Sequence, residues 1–246
     1  MVKQARKPRK KKAAKPAGGI PRIPSGRQML RWAGRRVAGI AALFLLLVLV
    51  YTVLNPPMTA YMLAESIRYG GIKRDWVSLE EMSEEVPRAV VAAEDANFCL
   101  HWGFDMAAIR EAIDQGGTRG ASTLTQQTVK NVFLWHGRSW LRKALEALMT
   151  PVVELVWTKR RTLEIYLNVA EFGQGVFGIE AAAQHYFGIP ARDLSGARAA
   201  LLAAALPDPK DRNPARPSGY LRKRARQIAE GADTIRADGR ADCFQG

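Results

Sequence analysis

The feature that most constrains this chain is an uncharged run of 18 residues, Val37 to Leu54 (VAGIAALFLLLVLVYTVL). At a rise of about 1.5 Å per residue a helix over it reaches about 27 Å, close to a hydrocarbon core of about 30 Å. It therefore reads as one transmembrane helix. Arg35 and Arg36 mark its cytoplasmic end, Tyr51 suits the far interface, and Asn55-Pro56-Pro57 stops it. Residues 1–36 hold 13 of the 37 Lys and Arg and no Asp or Glu, which leaves 24 basic against 23 acidic residues for the remainder. The net charge of +14 thus belongs to a basic tail that stays in the cytoplasm, and everything beyond Pro57 is expected outside it. Nucleic acid is not an expected partner, whereas anionic inner-leaflet lipid is. A cleaved signal peptide competes with this reading, but the basic region is too long and no clean small-x-small site follows.

Five segments follow: a basic disordered tail (1–36), the transmembrane helix (37–54), a membrane-proximal linker (55–75), a globular domain (76–230) and a C-terminal tail (231–246). In the linker, Met58, Tyr61, Met62 and Leu63 could lie in the bilayer interface. A short strand-like piece falls at Trp76 to Met82. Thereafter the periodicity is helical: Glu84–Phe98, Met106–Gln115, Ser122–Phe133, Ser139–Leu155, Arg160–Val169, Gly178–Tyr186, Leu194–Leu206 and Gly219–Ala229. Ser122 reads as an N-cap. The fold class is mainly α. Cys99 and Cys243 are far apart and lack metal-type spacing, so both read as free thiols.

Four stretches carry chemistry. In EDANFCLHWGFD, Glu94 emerges from a Val-Val-Ala-Ala surface, and partial desolvation moves such a carboxyl toward the range of a general base or acid. The bland alternative is the exposed acidic end of an amphipathic helix. In RGASTLTQQTVKN, helical spacing puts Gln126 and Gln127 within a turn of Lys130, and Ser122, Thr123 and Thr125 open a helix start that attracts oxyanions. A solvated polar face would look the same. In RSWLRKALE, Glu146 lies four residues from Arg142 and three from Lys143, the pattern of a surface salt bridge worth about 0.2–0.5 kcal/mol. Together Lys130, Arg138, Arg142 and Lys143 form a cation cluster in a neutral domain, which fits a bound polyanion such as a pyrophosphate. In the fourth stretch, Gly173, Gly175 and Gly178 permit positive φ or close backbone approach.

Taken together the stretches resemble the peptidoglycan glycosyltransferases, the lysozyme-like domain that polymerises lipid II, and most closely the single-domain, membrane-anchored members. Glu94-Asp95, Phe98, His101, Gly103 and Asp105 resemble the first motif of that family. Gly120, Ser122-Thr123, Thr125-Gln126-Gln127 and Lys130-Asn131 resemble the second, and Arg142-Lys143 with Glu146 the third. Lys159, Glu164, Tyr166, Asn168, Phe172-Gly173 and Gly178 resemble the fourth, and ALLAAALPDPKDRNP with PSGY the closing motif. Thr162 before Leu-Glu and Arg212 before Asn213-Pro214 depart from it.

The resemblance implies a lipid-linked growing glycan as donor and lipid II as acceptor. It implies Glu94 as the base on the acceptor hydroxyl, Glu146 as a second acid near the donor pyrophosphate, and Lys130 and Arg138, aided by Arg142 and Lys143, on the phosphates. Asp95, Phe98, His101, Ser122, Thr123, Gln126, Gln127 and Asn131 fall among the substrate-binding positions. A divalent cation (Mg or Mn) is expected with the substrate pyrophosphate, with no protein metal cage and no organic cofactor. The expected location is the bacterial inner membrane with the catalytic domain periplasmic, and wall-synthesis or division proteins are possible partners. No Ser is followed three residues on by Lys, so a transpeptidase is not expected. A peptidoglycan-cleaving lysozyme-like enzyme would also hang on one Glu but would not need the cation cluster. An inactive membrane-anchored scaffold would keep its function without Glu94.

Overall fold

The computed structural model describes residues 25–116, 120–137 and 139–245. Helix α1 runs from Gly26 to Val50, is almost wholly exposed, and is long and apolar enough to cross a membrane. It starts within the basic region rather than at Val37, because Gln28, Met29, Leu30 and the arginines there are good helix formers. The residues up to Leu43 form one unit, and a compact unit begins at Phe44.

In that second unit the elements are α2 (Ala60–Tyr69), β1 (Lys73–Arg74), a 3₁₀ turn (Leu79–Glu81), α3 (Glu85–Glu94), α4 (Met106–Asp114), α5 (Leu124–Phe133), α6 (Trp140–Val156), α7 (Lys159–Val169), β2 (Glu171–Gly173), β3 (Val176–Phe177), α8 (Ile179–Phe187), a second 3₁₀ turn (Ala191–Asp193), α9 (Gly196–Ala205), α10 (Gly219–Ala237) and α11 (Asp242–Gln245). The fold is mainly α. One small sheet has the order β1-β3-β2, with β1 parallel and β2 antiparallel to β3.

Two apolar clusters hold the domain together. In the first, α3, α9 and α10 pack on one another, and buried Ala199, Ala200, Ala203 and Ala204 on α9 let the helix axes approach closely. In the second, Val129 of α5, Val153 and Trp157 at α6, and Ile165 and Val169 of α7 close around Met62 and Val48. The last turns of α1 belong to this core: the buried Trp157 Nε1–H donates to Val48 O at 2.7 Å, and Arg161 donates to Tyr51 O and Leu54 O at 2.9 and 2.8 Å.

Several expectations are corrected. Trp76 to Met82 is not a strand. Its backbone is satisfied by side chains instead of a ladder, since Asn168 accepts from Val77 N and donates to Val77 O, and Glu164 accepts from Leu79 N. The strands lie at 73–74, 171–173 and 176–177, where Gly178 (φ 83°) turns the chain and a Cβ would stand 3.1 Å from Asn168 O. The middle of the expected linker is α2, with Thr59 as its cap and Met62 fully buried; Met58 and Leu63 are exposed, whereas Tyr61 faces inward to Glu171. Residues 231–237 continue α10 and 242–245 form α11. Cys99 and Cys243 are disulfide-bonded, with Cα atoms 5.7 Å apart, so the free-thiol reading is wrong. Proximity across 144 residues is a property of the fold that spacing does not reveal.

Candidate active site

Glu94 occupies the last turn of α3 and is partly buried, and its Oε2 accepts a hydrogen bond from Gln127 Nε2 at 2.8 Å. Gln127 is in turn held by the buried Tyr166, whose hydroxyl donates to Gln127 Oε1 at 3.2 Å. Burial raises the Glu94 pKa above the ordinary carboxyl range; the Gln127 hydrogen bond and the charges of Lys130 and Arg224 oppose this. A carboxyl whose proton affinity is raised in this way is a stronger base once ionised.

The neighbouring side chains build that geometry. Asp95, at the C-terminal cap of α3, accepts from Leu124 N at 2.9 Å and lies 2.9 Å from His101 Nε2, so one carboxylate joins the end of α3 to the start of α5. Thr123, not Ser122, caps α5, with Gln126 completing a reciprocal capping box. Thr123 Oγ1 also donates to Gly103 O at 2.7 Å. Phe98 is fully buried, with Lys159 over its ring at 4.5 Å, and offers no face to a ligand. Phe98, His101 and Gln126 thus make their contacts inside the protein, while Asp95 and Thr123 do so and also line a hollow.

The cations converge beside this carboxyl. Glu146 on α6 is 2 % exposed, so its carboxylate meets Arg142 (2.6 Å) below the surface, while Lys143 reaches it from a partly exposed position, unlike the surface bridge the spacing suggests. Lys143 Nζ also donates to Ser122 Oγ at 2.9 Å, which ties α6 to the start of α5. The side-chain amine of Lys130, on α5 one turn beyond Gln127, makes no hydrogen bond or ion pair among the described residues. Burial lowers its pKa, and repulsion from Arg142 and Lys143 adds to this, while Glu146 and Glu94 oppose it. Asn131 lies 3.3 Å from His136 Nε2. Arg138 lies outside the described residues.

Two hollows flank the Glu94–Gln127 hydrogen bond. One of about 260 Å³ is lined by Glu94, Asp95, Ser122, Thr123 and Arg224. The other, of about 370 Å³, is lined by Gln127, Lys130, Asn131, His136, Glu171 and Lys210. Among these, Arg224, His136, Glu171 and Lys210 were not candidates from the sequence. The signal for His136 was its place between Lys130 and Arg142, and for Lys210 its place in the closing motif; packing brings Glu171 and Arg224 in. His136 stacks on Tyr61 at 3.3 Å, and burial beside Lys130, Arg142 and Lys210 lowers its pKa to about 4, so the ring is neutral at pH 7. Lys210 pairs with the buried Glu65 at 2.7 Å and reaches Glu171 at 3.6 Å. Among the described residues no group of three or more His, Cys, Asp and Glu could hold a metal ion.

Comparison with known proteins agrees in outline. Residues 62–233 match the Transglycosylase family model. A biosynthetic peptidoglycan transglycosylase of Jannaschia sp. (strain CCS1) is 61 % identical over 216 residues, covering 88 % of this chain and 90 % of that protein. Proteins of the same description from Yersinia pseudotuberculosis serotype O:3 (strain YPIII) and Yersinia pestis (strain Pestoides F) are each 47 % identical over 213 residues, covering 82 % of this chain and 88 % of theirs.

Proposed function

The chain belongs to the transglycosylase family, as a monofunctional peptidoglycan glycosyltransferase with a lysozyme-like fold, and from that premise we propose that it polymerises lipid II into β-1,4 glycan strands. Undecaprenyl diphosphate is the leaving group, the anomeric centre inverts, and no transpeptidation follows. Glu94 removes the proton from the acceptor 4-hydroxyl, oriented by Gln127, while the cations take up the charge that develops on the departing diphosphate.

The observation that carries this reading is Lys130. A partly buried amine without a protein partner, one helical turn from the residue that holds the candidate base, is a charge waiting for an anion. Arg142 and Lys143 are by contrast already committed to Glu146, so Glu146 serves mainly to hold the cations in place. With both its oxygens so engaged it is a poor metal ligand, and the residues present do not fit a resident ion; an Mg or Mn ion would enter on the substrate diphosphate.

A lipid-linked substrate also suits the surface. Leu141, Leu148 and Leu155, seven residues apart along α6, are 64, 72 and 76 % exposed, which puts an apolar stripe on one side of that helix. Helix α1 fits a single-pass anchor. The inner membrane as its location, with a periplasmic domain, is supported by the basic N-terminal region and by the Cys99–Cys243 disulfide, which requires an oxidising compartment.

The test is incubation of the purified full chain with lipid II and a divalent cation, with and without a phosphoglycolipid of the moenomycin type, followed by sizing of the products. Polymer that disappears with the inhibitor is expected. Release of muropeptides from preformed wall, with no polymer from lipid II, would replace this reading with a cleaving enzyme.

A further inference from the structure

We propose that residues 238–245 form a redox-held strap that positions the catalytic helix, with Cys243 and Phe244 as positioning residues for Glu94. The inference rests on the reading of Glu94 as the base. Helix α3, which carries it, is gripped at both ends by this segment. At the N-terminal end Gln245 Nε2 donates to Glu84 O at 2.9 Å, and Arg88 Nη1 donates to Gln245 Oε1 at 3.1 Å. At the C-terminal end Arg240 donates to Ala96 O at 3.1 Å and Cys243 is bonded to Cys99. Between them Phe244 is 1 % exposed, its ring 6.5 Å from that of Phe98, and Arg160 of α7 clamps its carbonyl at 2.8 Å.

What the strap fixes is the turn from Asp95 to His101. Phe98 and His101 sit edge to face at 6.3 Å, His101 meets Asp95, and Asp95 receives Leu124 N at the start of α5. Three residues further along α5, Gln127 donates to Glu94. A shift at Cys99 is therefore passed to both members of the Glu94–Gln127 pair. Both cysteines are partly exposed. Two electrons and two protons from a small dithiol open the bond to two thiols while the dithiol closes to its own disulfide. Oxidation thereby completes the geometry of the base, and reduction loosens it without removing any group that touches substrate.

The experiment compares oxidised and dithiol-reduced full-length protein in detergent micelles, by lipid II polymerisation kinetics and by amide exchange. Reduction is expected to lower kcat about tenfold with KM within about twofold, since displacement of a reacting group by a fraction of an ångström costs rate rather than affinity. Exchange should rise at residues 95–101 and 124–127 and not across α9, and re-oxidation should restore both readouts. Cys243→Ser should reproduce the reduced state. Phe244→Leu, which keeps the disulfide, should give a smaller loss of kcat. Equal kcat and equal exchange in the two redox states would overturn the proposal, and so would a rise in exchange throughout the domain, which would make the bond a global staple. If the oxidised protein forms no polymer at all, the assigned function falls, while the exchange comparison still decides whether the strap orders the turn.

Discussion

Replacing Lys130 by Met keeps the aliphatic stem and removes only the charge, which makes it the sharpest probe of the site. If the amine lies about 4 Å from a phosphate charge, at an effective dielectric of about 20, the interaction is about 4 kcal/mol, or about 10³-fold in rate. Loss of a single preorganised group facing developing charge typically costs about 10²- to 10³-fold in kcat, the same range. Stability should move the other way. Burial lowers the Lys130 pKa, so the folded protein binds its proton less well than the unfolded chain, and wild-type stability rises as pH climbs from the folded value to the unfolded one. The amine has no ion pair to lose among the described residues, so the Met variant should be at least as stable as wild type at pH 7 and lack that alkaline rise. The assays are lipid II polymerisation and urea unfolding at pH 7 and pH 10. A variant that polymerises within threefold of wild type, or that loses activity and stability together, would refute the assignment of Lys130 to an anion.

Other outcomes follow from the same geometry. Glu94→Gln should lower polymerisation by at least about 10²-fold and raise the melting temperature at neutral pH. The sign follows from its raised pKa: the stability Glu94 contributes is complete below the unfolded value and lost as pH rises through the folded value, and Gln does not ionise. By the same shift, wild-type kcat/KM should rise with pH along a limb set above the ordinary carboxyl range, read from a pH–rate profile. Asp95→Ala, which strips Leu124 N and His101 of their acceptor, should cost about 1–3 kcal/mol in urea unfolding; no loss would free Asp95 for a direct role with substrate. Deleting residues 1–43 should leave the domain's stability unchanged. Extending the deletion through Leu54 should cost about 1–3 kcal/mol, because Trp157 and Arg161 then lose the carbonyls of Val48, Tyr51 and Leu54. Equal stability of the two truncations would show that α1 ends outside the domain.

Much of this molecule is local in origin and therefore legible in the chain. The apolar run makes a membrane-length helix, although that helix ends at Val50 and not at the Pro-Pro pair. Helical periodicity places α3 to α10 to within a few residues at their starts, although α3 stops at Glu94 and α10 runs on to Ala237. The pairs Arg142–Glu146 and Lys143–Glu146 are written at a spacing of one helical turn. What spacing cannot express is depth and long-range company. The same Arg-x-x-x-Glu reads as a weak surface bridge until packing buries Glu146, and Trp76 to Met82 reads as a strand until Asn168, some 90 residues away, takes up its backbone groups. The meeting of Glu94 with Gln127 and Tyr166, the isolation of Lys130, and the bond between Cys99 and Cys243 were decided by tertiary structure alone. A helix turn or a hydropathic run is set by neighbours in sequence, whereas desolvation and cross-linking depend on which distant surfaces the closing core brings together.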